Sequence, residues 1–157
     1  RKVTGHELPP VYVYALETSL QLTLTELNES LREVYLEAYR QPQSADYIYR
    51  HTASELYQIF GSYLPSYSEC DFYEQDIGSG GIMRAYMERP CDLYFTLEKK
   101  LSRFLTMSMR AYCVPPDEQQ QVLAFIETLD IRSISEQVMQ ELFRKLEMRF
   151  SFSLGNS

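Results

Sequence analysis

Two histidines, three cysteines and the run Gly78-Ser79-Gly80-Gly81 are the residues with which this chain could do chemistry. A di-iron helical bundle needs Glu three residues before His on each of two helices. The positions three before His6 and His51 hold Val3 and Ile48, so that ligand set is missing. Cys70, Cys91 and Cys113 stand 21 and 22 residues apart, a spacing that fits neither a disulfide framework nor a CxxC metal or redox motif. They read as reduced, mostly buried thiols. A nucleophilic Cys or Ser needs a base held beside it. His51, the one credible base, follows Tyr49-Arg50 on a helical segment and reads as a surface or satisfied core residue. Gly78-Ser79-Gly80 superficially resembles the end of a GxSxG nucleophile elbow, without the strand, turn and helix such an elbow requires. A phosphate loop would join a strand to a helix and continue into GK[ST]. Here the preceding residues 71–77 are acidic and helical in spacing, so the glycines read as a hinge or a close-packing site. No catalytic residue, metal ligand or cofactor is expected, and the chain is not expected to be an enzyme.

What remains is binding. Thirteen Tyr, eight Phe and six Met with no Trp give an aromatic-rich chain, and small-molecule pockets are mostly apolar with a few convergent polar groups. Tyr35, Tyr39, Phe60, Phe72, Tyr73, Met83, Tyr86, Met87 and Tyr94 are the candidate ligand-binding residues, with Arg84 and Glu74 as polar partners. The competing reading is a plain core whose Tyr hydroxyls reach water or backbone. Near the end of the chain, Val138, Met139, Leu142, Phe143, Leu146 and Phe150 make a stripe wider than one packing face requires. They are the candidate subunit interface.

Helical periodicity must position all of these. Residues 11–39 contain no Pro or Gly, and Leu16, Leu20, Leu24, Leu27, Leu31, Val34 and Ala38 fall at steps of four and three on one face. One helix of roughly 40 Å is expected there, with shorter helices packed along it. Pro42 ends it. Ser44 is a candidate cap for a helix over 44–64 whose stripe is Ile48, Leu56, Ile59, Phe60 and Tyr63. Residues 68–87 read as two short helices broken at Gly78–Gly81, and Gly80→Ala with Gly81→Ala should stiffen that hinge. A helix over 91–112 follows, with Tyr94, Leu97, Leu101, Phe104, Leu105, Ser108 and Tyr112 on one side and Lys99, Lys100, Arg103 and Arg110 elsewhere. Asp117 can cap a short helix carrying Val122, Leu123, Phe125, Ile126 and Leu129. Ser133 and Glu136 match a capping box for the last helix.

The fold expected is all-α, an antiparallel bundle of six to seven helices. At 157 residues with 45% apolar and 24% charged content, the chain suits one domain over 11–150, with 1–10 as an N-terminal link and 151–157 as a disordered tail. No apolar run is long enough to span a bilayer and no signal-peptide pattern opens the chain, so a cytoplasmic location and no membrane partner are expected. A net charge of −7 without a basic cluster would repel duplex DNA. This segment should not bind nucleic acid itself.

The long first helix ending Leu31-Arg32-Glu33-Val34-Tyr35-Leu36-Glu37-Ala38-Tyr39, the segment Asp71-Phe72-Tyr73-Glu74-Gln75-Asp76-Ile77, and Gly81-Ile82-Met83-Arg84-Ala85-Tyr86-Met87 resemble the C-terminal regulatory domain of TetR/AcrR-family transcriptional regulators. Cys91-Asp92-Leu93-Tyr94-Phe95-Thr96 looks like the start of that family's long central C-terminal helix. The resemblance covers about residues 11–150 and rests on element order, since these domains share no defining residue motif. It implies a homodimer built by the last helices, a small apolar or aromatic effector among the middle ones, and DNA contact only through a helix-turn-helix preceding Arg1. The function implied is effector binding and dimerisation that control the DNA affinity of that N-terminal region. The alternative is a helical adaptor that docks a partner protein and takes no effector.

Overall fold

Pro10 takes the first helical position of α1 (Pro10–Leu27), where its missing N–H costs nothing and its fixed φ suits the helix. The computed structural model describes residues 7–155, with side chains described as far as Leu146. The single helix expected over 11–39 is interrupted at Asn28, whose backbone is extended at φ −137° and ψ 106°. Its side-chain oxygen accepts the Leu31 N–H at 2.9 Å, so Asn28 caps a second helix, α2 (Glu29–Arg40). Asn bonds its neighbouring backbone well enough to compete with helix continuation. The two axes therefore diverge.

The buried side of α1 is not the leucine stripe. It consists of Val11, Ala15, Ser19, Leu22, Thr23 and Thr25, while Leu16, Leu20, Leu24 and Leu31 are half-buried and Leu27 and Val34 are exposed. Small side chains let neighbours come close, and α1 packs against all six other helices. Two hydroxyls on this face bond back to their own helix, Thr23 to the Ser19 carbonyl at 2.7 Å and Thr25 to that of Gln21 at 3.0 Å, which satisfies them in the interior, whereas the buried Ser19 hydroxyl has no partner among the described residues.

Pro42 opens α3 (Pro42–Phe60), which places Ser44 inside the first turn and not at the cap; Ala53, Leu56 and Phe60 are its buried residues. Next, α4 (Glu69–Glu88) starts from a capping box between Ser68 and Asp71 and runs unbroken through Gly78–Gly81. The expected hinge is absent. A Cβ on Gly80 would meet Tyr49 Cε1 of α3 at 3.1 Å, so this glycine serves the close approach of α3.

Residues 91–96, expected as helix, form a loop. Asp92 folds it, its carboxylate accepting the N–H groups of Tyr94 at 2.8 Å and Phe95 at 2.6 Å. Helix α5 (Leu97–Ala111) begins only at the Thr96 cap. Beyond its Tyr112 cap, Cys113 adopts φ 60°. The Val114 N–H returns to the Met109 carbonyl at 3.0 Å and that of Cys113 to Arg110 at 3.1 Å, the two bonds of a Schellman stop. Then α6 (Pro116–Glu127) starts on Pro116, with Asp117 in its first turn and not at the cap.

The last helix, α7 (Ile131–Gly155), starts two residues before Ser133, the cap expected from the sequence. Asp130 Oδ1 accepts the Ser133 N–H at 3.2 Å, so Asp130 provides the cap and Ser133 lies within the first turn. The helix continues to Gly155, into the stretch read from sequence as a tail. The fold is all-α: seven helices and no strand among the described residues. At its centre Phe60 stacks on Tyr112 at 4.3 Å between ring centroids, Tyr14 meets Phe60 edge-on at 5.0 Å, and Phe72 lies nearly parallel to Tyr112 at 6.1 Å.

Candidate functional site

The inner side of α4 carries polar groups into this aromatic core. Asp76 and Ser79 are both buried. The Ser79 hydroxyl lies 2.6 Å from that of Tyr112 and donates to Asp76 Oδ1 at 3.3 Å. Tyr14 and Ser108 share a further hydroxyl hydrogen bond beside them. Burial raises the Asp76 carboxyl to about 6, against the smaller pull of Ser79 and Arg84. Burial also raises the Tyr14 hydroxyl to about 12 and moves Tyr112 above the usual tyrosine range. The cluster thus joins α1, α4 and α5 through hydroxyls that stay neutral and one carboxyl that titrates near neutrality.

Two turns along α4, the Arg84 guanidinium lies over the rings of Tyr39 at 4.7 Å and Tyr49 at 5.7 Å, and it donates to the Tyr49 hydroxyl. Such stacking holds a cation among aromatics without a carboxylate in contact. Tyr39 also faces outward. Together with Tyr35, Leu31, Val34, Ala38 and Ile48 it lines an open groove of about 520 Å³ between α1, α2 and α3, with Gln21 as a polar wall.

Of the nine residues nominated for ligand binding, only Tyr35 and Tyr39 share this opening. Phe60, Phe72, Met83 and Met87 are buried in the core, so the centre of the molecule is filled. Tyr73 donates to Asp46 Oδ1 at 2.9 Å beneath the Arg50 guanidinium. Tyr86 reaches the Met107 sulfur at 3.3 Å. Tyr94 stands 80% exposed on the loop before α5. Glu74 is on the exposed side of α4 and does not converge with Arg84. Periodicity identifies which residues share a face, but not what lies opposite that face.

On α7, Val138, Leu142, Phe143 and Leu146 are 41–49% exposed. Met139 turns inward and takes a contact from the Asn28 amide at 3.8 Å. The Phe150 side chain lies outside the described residues. His51 is exposed and stacked on Tyr47, and His6 lies outside the described residues. Cys70 and Cys113 are exposed and Cys91 is half-buried, against the expectation of mostly buried thiols. Among the described residues no group of His, Cys, Asp and Glu is arranged to hold a metal ion, and no helix is long and apolar enough to cross a membrane.

One buried ion pair escaped the sequence reading. Lys100 is 1% exposed, its Nζ 2.8 Å from Glu26 Oε2 and 2.6 Å from the Arg89 carbonyl. The other Glu26 oxygen accepts the Cys91 N–H at 2.9 Å. Burial pushes the Glu26 carboxyl up, yet the bonds from Lys100 and Cys91 outweigh it and hold the group below its usual range. The pair fastens the loop before α5 to the end of α1. Spacing could have found it, because Lys100 lies three residues after Leu97 and four before Phe104, on the buried stripe.

Compared with models of protein families, with curated proteins and with solved structures, the chain matches none of them.

Proposed function

We propose that this chain is the effector-binding and dimerisation domain of a transcriptional regulator, controlling the DNA affinity of a helix-turn-helix region that precedes it. The observation that carries the reading is the outer face of α7, where Val138, Leu142, Phe143 and Leu146 stay 41–49% exposed. Four large apolar side chains at steps of four, one and three form one patch, and a patch of this kind is worth covering. The groove over Tyr35 and Tyr39 gives an apolar or aromatic effector a surface backed by the Arg84 stack. An effector that binds one arrangement of two paired copies better than another shifts the spacing of the DNA-reading regions by linkage.

A second reading is supported by a specific observation. Phe60, Phe72 and Tyr112 fill the centre while the groove between α1, α2 and α3 lies open, an arrangement that suits an adaptor docking a partner protein. Light scattering separates the two. The first reading expects a dimer that Phe143→Glu with Leu146→Glu converts to a folded monomer. A monomer unchanged by the substitutions would overturn it in favour of the adaptor.

A further inference from the structure

A second opening lies between α5, α6 and the first turn of α7. Its volume is about 230 Å³. Leu97, Leu101 and Leu105 of α5, Leu123 and Ile126 of α6, and Ile131 of α7 line it, and five of these six are buried. It is more enclosed than the groove, and an apolar cavity of about 150 Å³ already holds benzene. A single ring with a short substituent fits.

The polar side is equally distinct. Glu98, Glu127, Asp130 and Arg132 border the cavity, three carboxylates against one guanidinium. Arg132 is already engaged, donating to Glu98 at 2.5 Å. Asp130 uses one oxygen on the Ser133 N–H, which leaves its second oxygen available. Glu127 is exposed and makes no hydrogen bond or ion pair with another described residue. Lys99 and Arg103 do not border this opening. The local formal charge is therefore negative above an apolar floor.

We infer that this cavity binds a small primary amine with an apolar or aromatic body, its ring among the leucines and its ammonium between Glu127 and Asp130. A neutral ring fills the same floor but leaves the two carboxylates to water, and an anion meets them as like charges. The site involves none of the nine aromatic and methionine positions nominated from sequence. It stands independently of the dimer reading, because it needs only one copy of the chain.

Phenethylamine, 2-phenylethanol and 3-phenylpropanoate share the ring and differ in the head group. Titration of each into the intact chain, followed by carbon-13 methyl spectra of Leu and Ile, reads the site directly. The amine is expected to shift the Leu101, Leu105 and Ile126 methyls and to bind about fivefold tighter than the alcohol, since each partly exposed ion pair is worth about 0.2–1 kcal/mol. The propanoate should bind weakest. Glu127→Gln with Asp130→Asn keeps an Asn cap on α7 and should bring the amine within about twofold of the alcohol. Leu123→Phe, at a half-buried wall, should weaken all three. Absence of methyl shifts with every probe, or propanoate binding as tightly as the amine in the unsubstituted chain, would overturn the inference. Either result leaves the light-scattering outcome untouched.

Discussion

Asp76 is a buried carboxyl whose placement costs the fold stability at neutral pH. Its carboxyl is buried, bonded only to the Ser79 hydroxyl, and raised to about 6 by desolvation, with Arg84 acting from a distance. An unfolded chain releases this proton near pH 4, so between about pH 4 and pH 6 the folded state holds more proton than the unfolded one. Stability from this group is then fully present below pH 4 and falls as pH rises, by about 3 kcal/mol once the folded carboxyl is ionised. Asp76→Asn keeps an oxygen for Ser79 and removes the titration. Its stability relative to the unsubstituted chain should rise by about 2 to 3 kcal/mol from pH 4 to pH 7 in paired urea melts. A difference that stays flat across this range would show that water reaches the carboxylate. Glu26 has the opposite sign: its lowered pKa gives stability at neutral pH that is lost as pH falls through the folded value. Comparing variant with parent isolates Asp76 from it.

Among the elements, α4 explains what its glycines are for. A side chain at Gly78 meets nothing within 4 Å, whereas one at Gly80 meets the Tyr49 ring at 3.1 Å. That ring is held by the Arg84 hydrogen bond and by Tyr39 at 5.9 Å, so it cannot move without disturbing both. Helix propensity alone favours Ala over Gly by about 1 kcal/mol at each position. Gly78→Ala should therefore stabilise by about 0.5–1 kcal/mol. Gly80→Ala should fall at least about 0.5 kcal/mol short of that gain, through the contact with Tyr49. Equal gains in chemical denaturation would mean that α3 gives way and that the packing does not depend on Gly80. The break at Asn28 is the counterpart. There a polar side chain ends one helix and starts the next, turning α2 away from α1 and opening the groove above Tyr35 and Tyr39.

For the whole molecule, the exposed faces decide more than the core does. The interior is closed by stacked rings around Tyr112 and by the Lys100–Glu26 pair. Breaking such a pair leaves an uncompensated charge inside and costs about 3–5 kcal/mol. Apolar residues left in water are spread over several elements, Leu93 and Tyr94 on the loop before α5 and Val34 on α2 among them, but α7 gathers four, Val138, Leu142, Phe143 and Leu146, on one helix. If α7 pairs two copies, unfolding releases two chains and the thermal midpoint becomes concentration-dependent. A hundredfold increase in protein should raise it by about 3–5 °C in the unsubstituted chain and leave the Phe143→Glu, Leu146→Glu chain unmoved. A midpoint independent of concentration in both would rule out pairing as a source of stability.

Class and element order were legible in the residues because they depend on local pattern. Apolar spacing near 3.6, Pro42 and Pro116 at helix starts and the absence of alternating runs are enough to specify an all-α bundle of six to seven helices, although the break at Asn28 and the continuity of α4 were not read from them. Of the six residues read as a wide stripe on α7, Val138, Leu142, Phe143 and Leu146 are exposed, whereas Met139 turns inward to Asn28. Tertiary structure decided which face of each helix is inside. The leucine stripe of α1 looked like its core side, yet the residues it buries are Val11, Ala15, Ser19, Leu22, Thr23 and Thr25, mostly smaller side chains, since close approach depends on volume and not on hydropathy alone. It also decided that Gly78–Gly81 is continuous helix, because Tyr49 across the interface is invisible from residue 80. The cavity between α5, α6 and α7 arises in the same way: its walls come from helices whose faces meet only when the chain packs, and no local period records that meeting.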